Sequence, residues 1–181
     1  MTQYRRLLIP GATYFFTVRL EERGTALLTD HVETLRWAYA KAVEEYPVTC
    51  HAMVVLPDHL HAIWTEPPGG VWYSERWRRI KARFSYAVPG AGVQRPSLQA
   101  KRERGVWQRR FYEHAIRNEA EFHRALTHIE EDPVKHGLVS AASLWPYSSF
   151  TKGRLGHLAH VSSSPSAATP TADPAKCFQT V

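Results

Sequence analysis

Two apolar runs meet across a two-residue turn: VTCHAMVVL, then Pro57-Asp58, then HLHAIWTE. Both are strand-length and rich in β-branched and aromatic side chains, so the stretch reads as an antiparallel hairpin that Pro67-Pro68-Gly69-Gly70 closes. On a strand, residues two apart share a face. His59 and His61 therefore project side by side, with Leu60, Ala62 and Trp64 opposite. That geometry suits two imidazole ligands on one cation, and it equally suits two hydrogen-bonded structural histidines. The pair alone does not separate the two.

The elements around the hairpin narrow the fold. ATYFFTVRL follows the turn-like Pro10-Gly11 and predicts a first strand. In TDHVETLRWAYAKAVEEY, Asp30 and Glu33 form a capping box, and Val32, Leu35, Tyr39, Ala42, Val43 and Tyr46 recur at helical spacing up to Pro47. A second helix is predicted with Ser74 as its cap and Trp77, Ile80, Phe84 and Ala87 on one stripe. Its other faces carry Arg76, Arg78, Arg79, Lys81 and Arg83. Residues 88–105 mix Pro, Gly and charge and read as a flexible loop; GVWQRRFYEHAIR predicts a fourth strand. Asn118 with Glu121 signals a third helix, Glu119 to Glu131, that DPVKHGLV ends, with Gly137 as a possible cap.

The order strand, helix, strand, strand, helix, strand is the ferredoxin-like β-α-β-β-α-β arrangement. It is an α+β fold whose antiparallel sheet carries helices on one face, with a third helix added here. A chain of 181 residues that is 44% apolar suits one compact domain, expected over 1–152. From about Gly153 Ser, Ala, Pro and Thr dominate, too polar to offset chain entropy, so 153–181 is expected to be a disordered tail. There is no internal repeat.

Charge and cysteine content limit the function. The net charge of +6 and a pI near 9.5 favour a polyanionic partner, nucleic acid first and an acidic membrane surface second. Cys50 and Cys177 have no ligand-like spacing, and no stretch reaches the roughly 18 apolar residues of a membrane helix. The expected location is the cytoplasm.

Five stretches occur in one order: YRR…PGATYFFTV, VLPDHLHAIW, WQRRFYEHAIRNEAEF, DPVKHGLV and WPYSSF. Together, over roughly residues 4–150, they resemble the REP-associated tyrosine transposases, a bacterial branch of the HUH superfamily (His-hydrophobic-His). The resemblance implies a ferredoxin-like domain with the HUH pair on a central strand, matched here by His59, Leu60 and His61. It implies a divalent ion, Mg²⁺ or Mn²⁺, that neutralises charge on a scissile phosphate, and a helix tyrosine that attacks DNA. It implies single-stranded or hairpin DNA from repetitive extragenic palindromes (REP) as partner, no membrane, and a monomer or homodimer.

The family pattern puts the nucleophile four residues before the Asn or Asp of its NPVKHG-like element. Counting back from Asp132 gives His128, and Glu119–Glu131 contains no tyrosine. Four residues nearly complete a helical turn, so His128 and Asp132 lie within about 40° of each other, and Asp132 is a sensible third ligand. His128 has three readings. It marks a lost nucleophile, or it acts itself as base or phosphohistidine-forming nucleophile, or Tyr112 on the preceding strand substitutes for it. A protein with no nucleophile would be a hairpin-binding module without catalysis; one activating water would be a nuclease.

From Arg76 to Arg117 there are twelve Lys or Arg against two acids, interleaved with aromatics. Cations on phosphates and rings stacked on unpaired bases are how such a surface binds nucleic acid. Candidate DNA contacts are Tyr4, Arg5 and Arg6, then Arg76, Arg79, Lys81, Arg83, Trp107, Arg109 and Arg110, and Lys135 after the third helix.

Overall fold

The computed structural model describes residues 6–88, 92 and 104–151. Tyr4, Arg5, most of the expected 88–105 loop and the tail from Gly153 lie outside the described residues. The elements are β1 (Thr13–Arg19), α1 (Leu27–Asp30), α2 (Val32–Glu45), β2 (Thr49–Val55), β3 (His59–Thr65), α3 (Tyr73–Ala87), β4 (Tyr112–Ala115) and α4 (Glu119–Lys135), then a 3₁₀ turn at Ala142–Leu144. The sheet is antiparallel in the order β2-β3-β1-β4, with the first and third strands central. This is the expected α+β architecture.

Alternation along the central strands divides the molecule into two apolar layers. Tyr14, Phe16 and Val18 of β1 and Leu60, Ala62 and Trp64 of β3 point one way, onto α2 and α3. There Trp64 stacks on Trp77 of α3 with centroids 4.2 Å apart. Each fully buried ring of this kind contributes about 1.5–3 kcal/mol. Ile63 points the other way, where Ala52, Val54 and Leu56 meet Ile129, Phe122, Ala125 and Leu126 of α4. The register of β2 on β3 shifts between Cys50 and Ala52, so Cys50 and Met53 fall in the same layer.

β2 is a sheet edge, and the WPYSSF stretch covers it. Val55 N–H donates to Tyr147 O, Ser149 N–H to Met53 O and the Trp145 indole to Val55 O. Met53 N–H also donates to Ser149 Oγ, so donors and acceptors along this part of the edge are paired.

Three helix ends differ from expectation. Asp30 is not a cap: Leu27–Asp30 folds as its own short helix because Leu28 is fully buried, and α2 restarts after His31 without a side-chain cap. Ser74 is not a cap either. α3 begins at Tyr73, the Trp72 N–H donates to the buried Glu66 carboxylate, and the Ser74 hydroxyl accepts from Arg6. On the same helix Ala87 is exposed, and Val88 fills the layer instead. The third helix runs on through Pro133 to Lys135. Proline denies Ile129 O its helical donor, but His136 N–H still reaches Asp132 O at 3.0 Å. Gly137 (φ 68°) donates to Val134 O and Leu138 to Pro133 O, a Schellman end that only a left-handed residue closes easily. The Asn118 cap is as expected, its side chain accepting from Glu121 N–H.

Candidate metal centre

His59 and His61 sit on the face of β3 turned to α4, each 3% exposed. Two polar groups set their rings. Asp58, in the hairpin turn, contacts His59 Nδ1 at 2.6 Å and is itself held by Arg23 and the Gly24 N–H. Thr17, paired with His61 across β1, places its hydroxyl 2.9 Å from His61 Nδ1. With both Nδ1 atoms engaged, both Nε2 atoms face inward, the arrangement by which outer carboxylates and hydroxyls orient metal-binding imidazoles.

They converge on Asp132 of α4. Its Oδ2 lies 3.5 Å from His59 Nε2 and 3.2 Å from His61 Nε2. Neither contact has hydrogen-bond geometry, and Oδ2 is a buried acceptor with no hydrogen-bond donor among the described residues. Burial opposes the charge on Asp132, but contact with His59 and His61 outweighs it and holds the carboxyl far below the usual range. Burial also lowers the pKa of His61, favouring the neutral ring that a metal needs. Asp58 is held low too: burial is outweighed by the Gly24 N–H and His59. Two inward-facing Nε2 atoms and an ionised, unsatisfied carboxylate are a donor set that fits a divalent cation.

The four-residue spacing brings His128 alongside. Its ring is 4.8 Å from that of His61 and 5.6 Å from Phe15. His136 adds a further histidine, 3.7 Å from Asp132 Oδ1 and 5.1 Å from the His59 ring. Sequence reasoning missed His136 as a site residue, although 128, 132 and 136 follow one helical stripe. It also missed Asp58 and Thr17. Asp58 reads as a turn residue, and Thr17 is tied to His61 only by strand register.

The remaining candidates scatter. Tyr112 is exposed on β4 and opposite Thr17, which in turn is opposite His61, so the three form one row across the sheet. Arg76, expected at the DNA, is instead fully buried, binding Glu66 and the carbonyls of Tyr46 and Pro47. Trp107, expected to stack on bases, is 9% exposed and packs edge-on against Phe84, because its residue bridges to Leu20. Arg79 and Arg83 pair with Glu45 at the surface. Lys81 donates to Gln108 O, and burial with nearby Arg6 lowers its pKa to about 8. Arg6 lies over the Phe111 ring, 4.0 Å from its centroid. Arg109 and Arg110 are exposed just before β4. Lys135 pairs with Glu131 on the exposed last turn of α4.

No helix among the described residues is long and apolar enough to cross a membrane. No family model matches the chain. Two curated relatives do. The REP-associated tyrosine transposase of Escherichia coli K12 is 43% identical over 150 residues, 83% of each chain. A putative REP-associated tyrosine transposase of Haemophilus influenzae is 40% identical over 151 residues, 83% of this chain and 86% of that one. Among solved structures, a REP-associated tyrosine transposase bound to a REP hairpin superposes with a TM-score of 0.70 at 42% identity, covering 83% of both chains. At this identity and coverage, the chain belongs to the REP-associated tyrosine transposase family.

Proposed function

We propose that the chain binds REP-type DNA hairpins in the bacterial cytoplasm and acts on the strand beside the hairpin at a divalent ion held by His59, His61 and Asp132. The observation that carries this reading is the convergence of two oriented Nε2 atoms on an unsatisfied buried carboxylate. A relative caught on a REP hairpin supports the partner. The ion would be Mg²⁺ or Mn²⁺, of which Mn²⁺ accepts imidazole more readily; it would neutralise charge on the scissile phosphate. Asp58 and Thr17 keep the two rings aimed at the site. Arg109 and Arg110, exposed beside β4, and Arg6 over Phe111 would hold phosphates or base edges.

Strand transfer through a covalent link needs a nucleophile, and position 128 is a histidine. Tyr112 shares a strand row with His61 and offers a phenol. The second reading is a hairpin-binding module without strand transfer, favoured by the helix that lacks a tyrosine.

The test pairs a labelled REP-type hairpin carrying a single-stranded flank with a scrambled oligonucleotide, with Mn²⁺ or chelator. Tight binding of the hairpin over the scrambled strand is expected. Equal binding would overturn the proposal. A protein–DNA adduct on a denaturing gel that Tyr112→Phe abolishes supports strand transfer; cleavage without adduct indicates water. Binding with no cleavage, and an adduct gained only in His128→Tyr, identifies the module.

A further inference from the structure

Two groups of donors share Asp132. The ligand atoms of His61, His128 and Asp132 lie within 4.8 Å of one another, and so do those of His59, Asp132 and His136. Donors on one zinc-sized ion stand about 2.0–2.1 Å from it, hence about 3.3 Å apart at a tetrahedral angle. The His61–Asp132 and His59–Asp132 separations of 3.2 and 3.5 Å already match. The His128 ring stands edge-on to both His61 and Phe15, a pair of contacts that steadies it beside the site.

We propose that His128 is a metal ligand, and that a bound ion draws the two groups together at their shared Asp132, so that His59, His61, His128 and Asp132 form a nitrogen-rich centre selective for a Zn²⁺-class ion over Mg²⁺. His136 flanks it on the other carboxylate oxygen. The proposal rests on the metal reading of the same site and sharpens it. Mg²⁺ demands octahedral oxygen ligands and dehydrates reluctantly, so each imidazole in the set counts against it. Zn²⁺ and Co²⁺ take three imidazoles and a carboxylate comfortably and stand above Mn²⁺ in intrinsic affinity for nitrogen sites. A histidine engaged in this way has no lone pair left for attack on phosphorus.

Co²⁺ is the probe, titrated into the chelator-stripped full chain and followed by its visible absorption. Wild type is expected to bind Co²⁺ with bands of four- or five-coordinate geometry, to exchange it for Zn²⁺, and to keep it in about 10 mM Mg²⁺. His128→Ala is expected to bind Co²⁺ at least tenfold more weakly, with its metal-free far-UV circular dichroism unchanged. X-ray absorption on the Co²⁺-loaded wild type, which needs no variant, is expected to count three or more imidazoles. Two imidazoles, wild-type affinity in His128→Ala, or displacement by Mg²⁺ would each overturn the proposal. Co²⁺ binding lost in His59→Ala but unchanged in His128→Ala sinks it while sparing the metal reading. No Co²⁺ binding at all sinks both.

Discussion

At the scale of single residues, the most deeply placed guanidinium among the described residues belongs to the interior. Arg76 and Glu66 are both fully enclosed, paired at 2.7 Å, and Arg76 also caps the end of α2 through the carbonyls of Tyr46 and Pro47. Removing one member of such a pair strands the other, at about 3–5 kcal/mol. Arg76→Leu is therefore expected to lower the unfolding free energy by that much, read as a lower urea midpoint at unchanged slope, while an Arg110→Ala control stays near wild type. Lys81 gives a pH signature. Its native pKa of about 8 lies below the ordinary 10.5 because burial disfavours its charge and Arg6 repels it. Between those values the unfolded chain holds a proton that the native chain has released, so stability rises with pH through that window. Urea midpoints of wild type relative to Lys81→Met, compared at pH 7.5 and 9.5, are expected to show this rise. The position of Arg76 was legible in principle, three residues after Tyr73 and four before Ile80, both buried. A run of arginines hid it, since composition suggested phosphates and only the stripe suggested the core.

At the scale of elements, periodicity told more than caps did. The alternation of β3 correctly set His59 and His61 apart from Leu60, Ala62 and Trp64. The helical period put His128 and Asp132 on one side of α4. Start signals were weaker: Asp30 and Ser74 had the chemistry of caps, yet burial of Leu28 and the bond from Trp72 to Glu66 moved the boundaries. Pro133 misled in the opposite sense, since a proline in the last turn costs one bond while the following turn still closes. Where a cap does form it has a measurable worth. Asn118→Ala is expected to destabilise the protein by about 1 kcal/mol, read as a shifted denaturation midpoint with unchanged slope, because Glu121 N–H loses its acceptor. What no period could supply was the meeting of Thr17 with His61, a matter of strand register alone.

At the scale of the whole molecule, charge sets the partner and the conditions. Several of the cations counted in the sequence are already matched by Glu45 and Glu75, so fewer than twelve remain to meet phosphates. Hairpin binding is still expected to fall about a thousandfold between 50 and 200 mM salt, measured by fluorescence anisotropy. Arg109→Ala with Arg110→Ala is expected to flatten the log–log salt slope by about two if both side chains meet phosphates.

The carboxylate of Asp132 also joins α4 to the central strand β3, at the opposite end of the helix from the Glu121–His114 pair that ties it to β4. α4 rests on the sheet through Ile129, Phe122, Ala125 and Leu126, and among the described residues Asp132, facing two histidines, is its polar tie to β3. Lifting the helix and releasing an ion would then be one event. Amide hydrogen exchange along α4 should slow as divalent ion is added and in proportion to its occupancy, while exchange in α2, on the far layer, should not change.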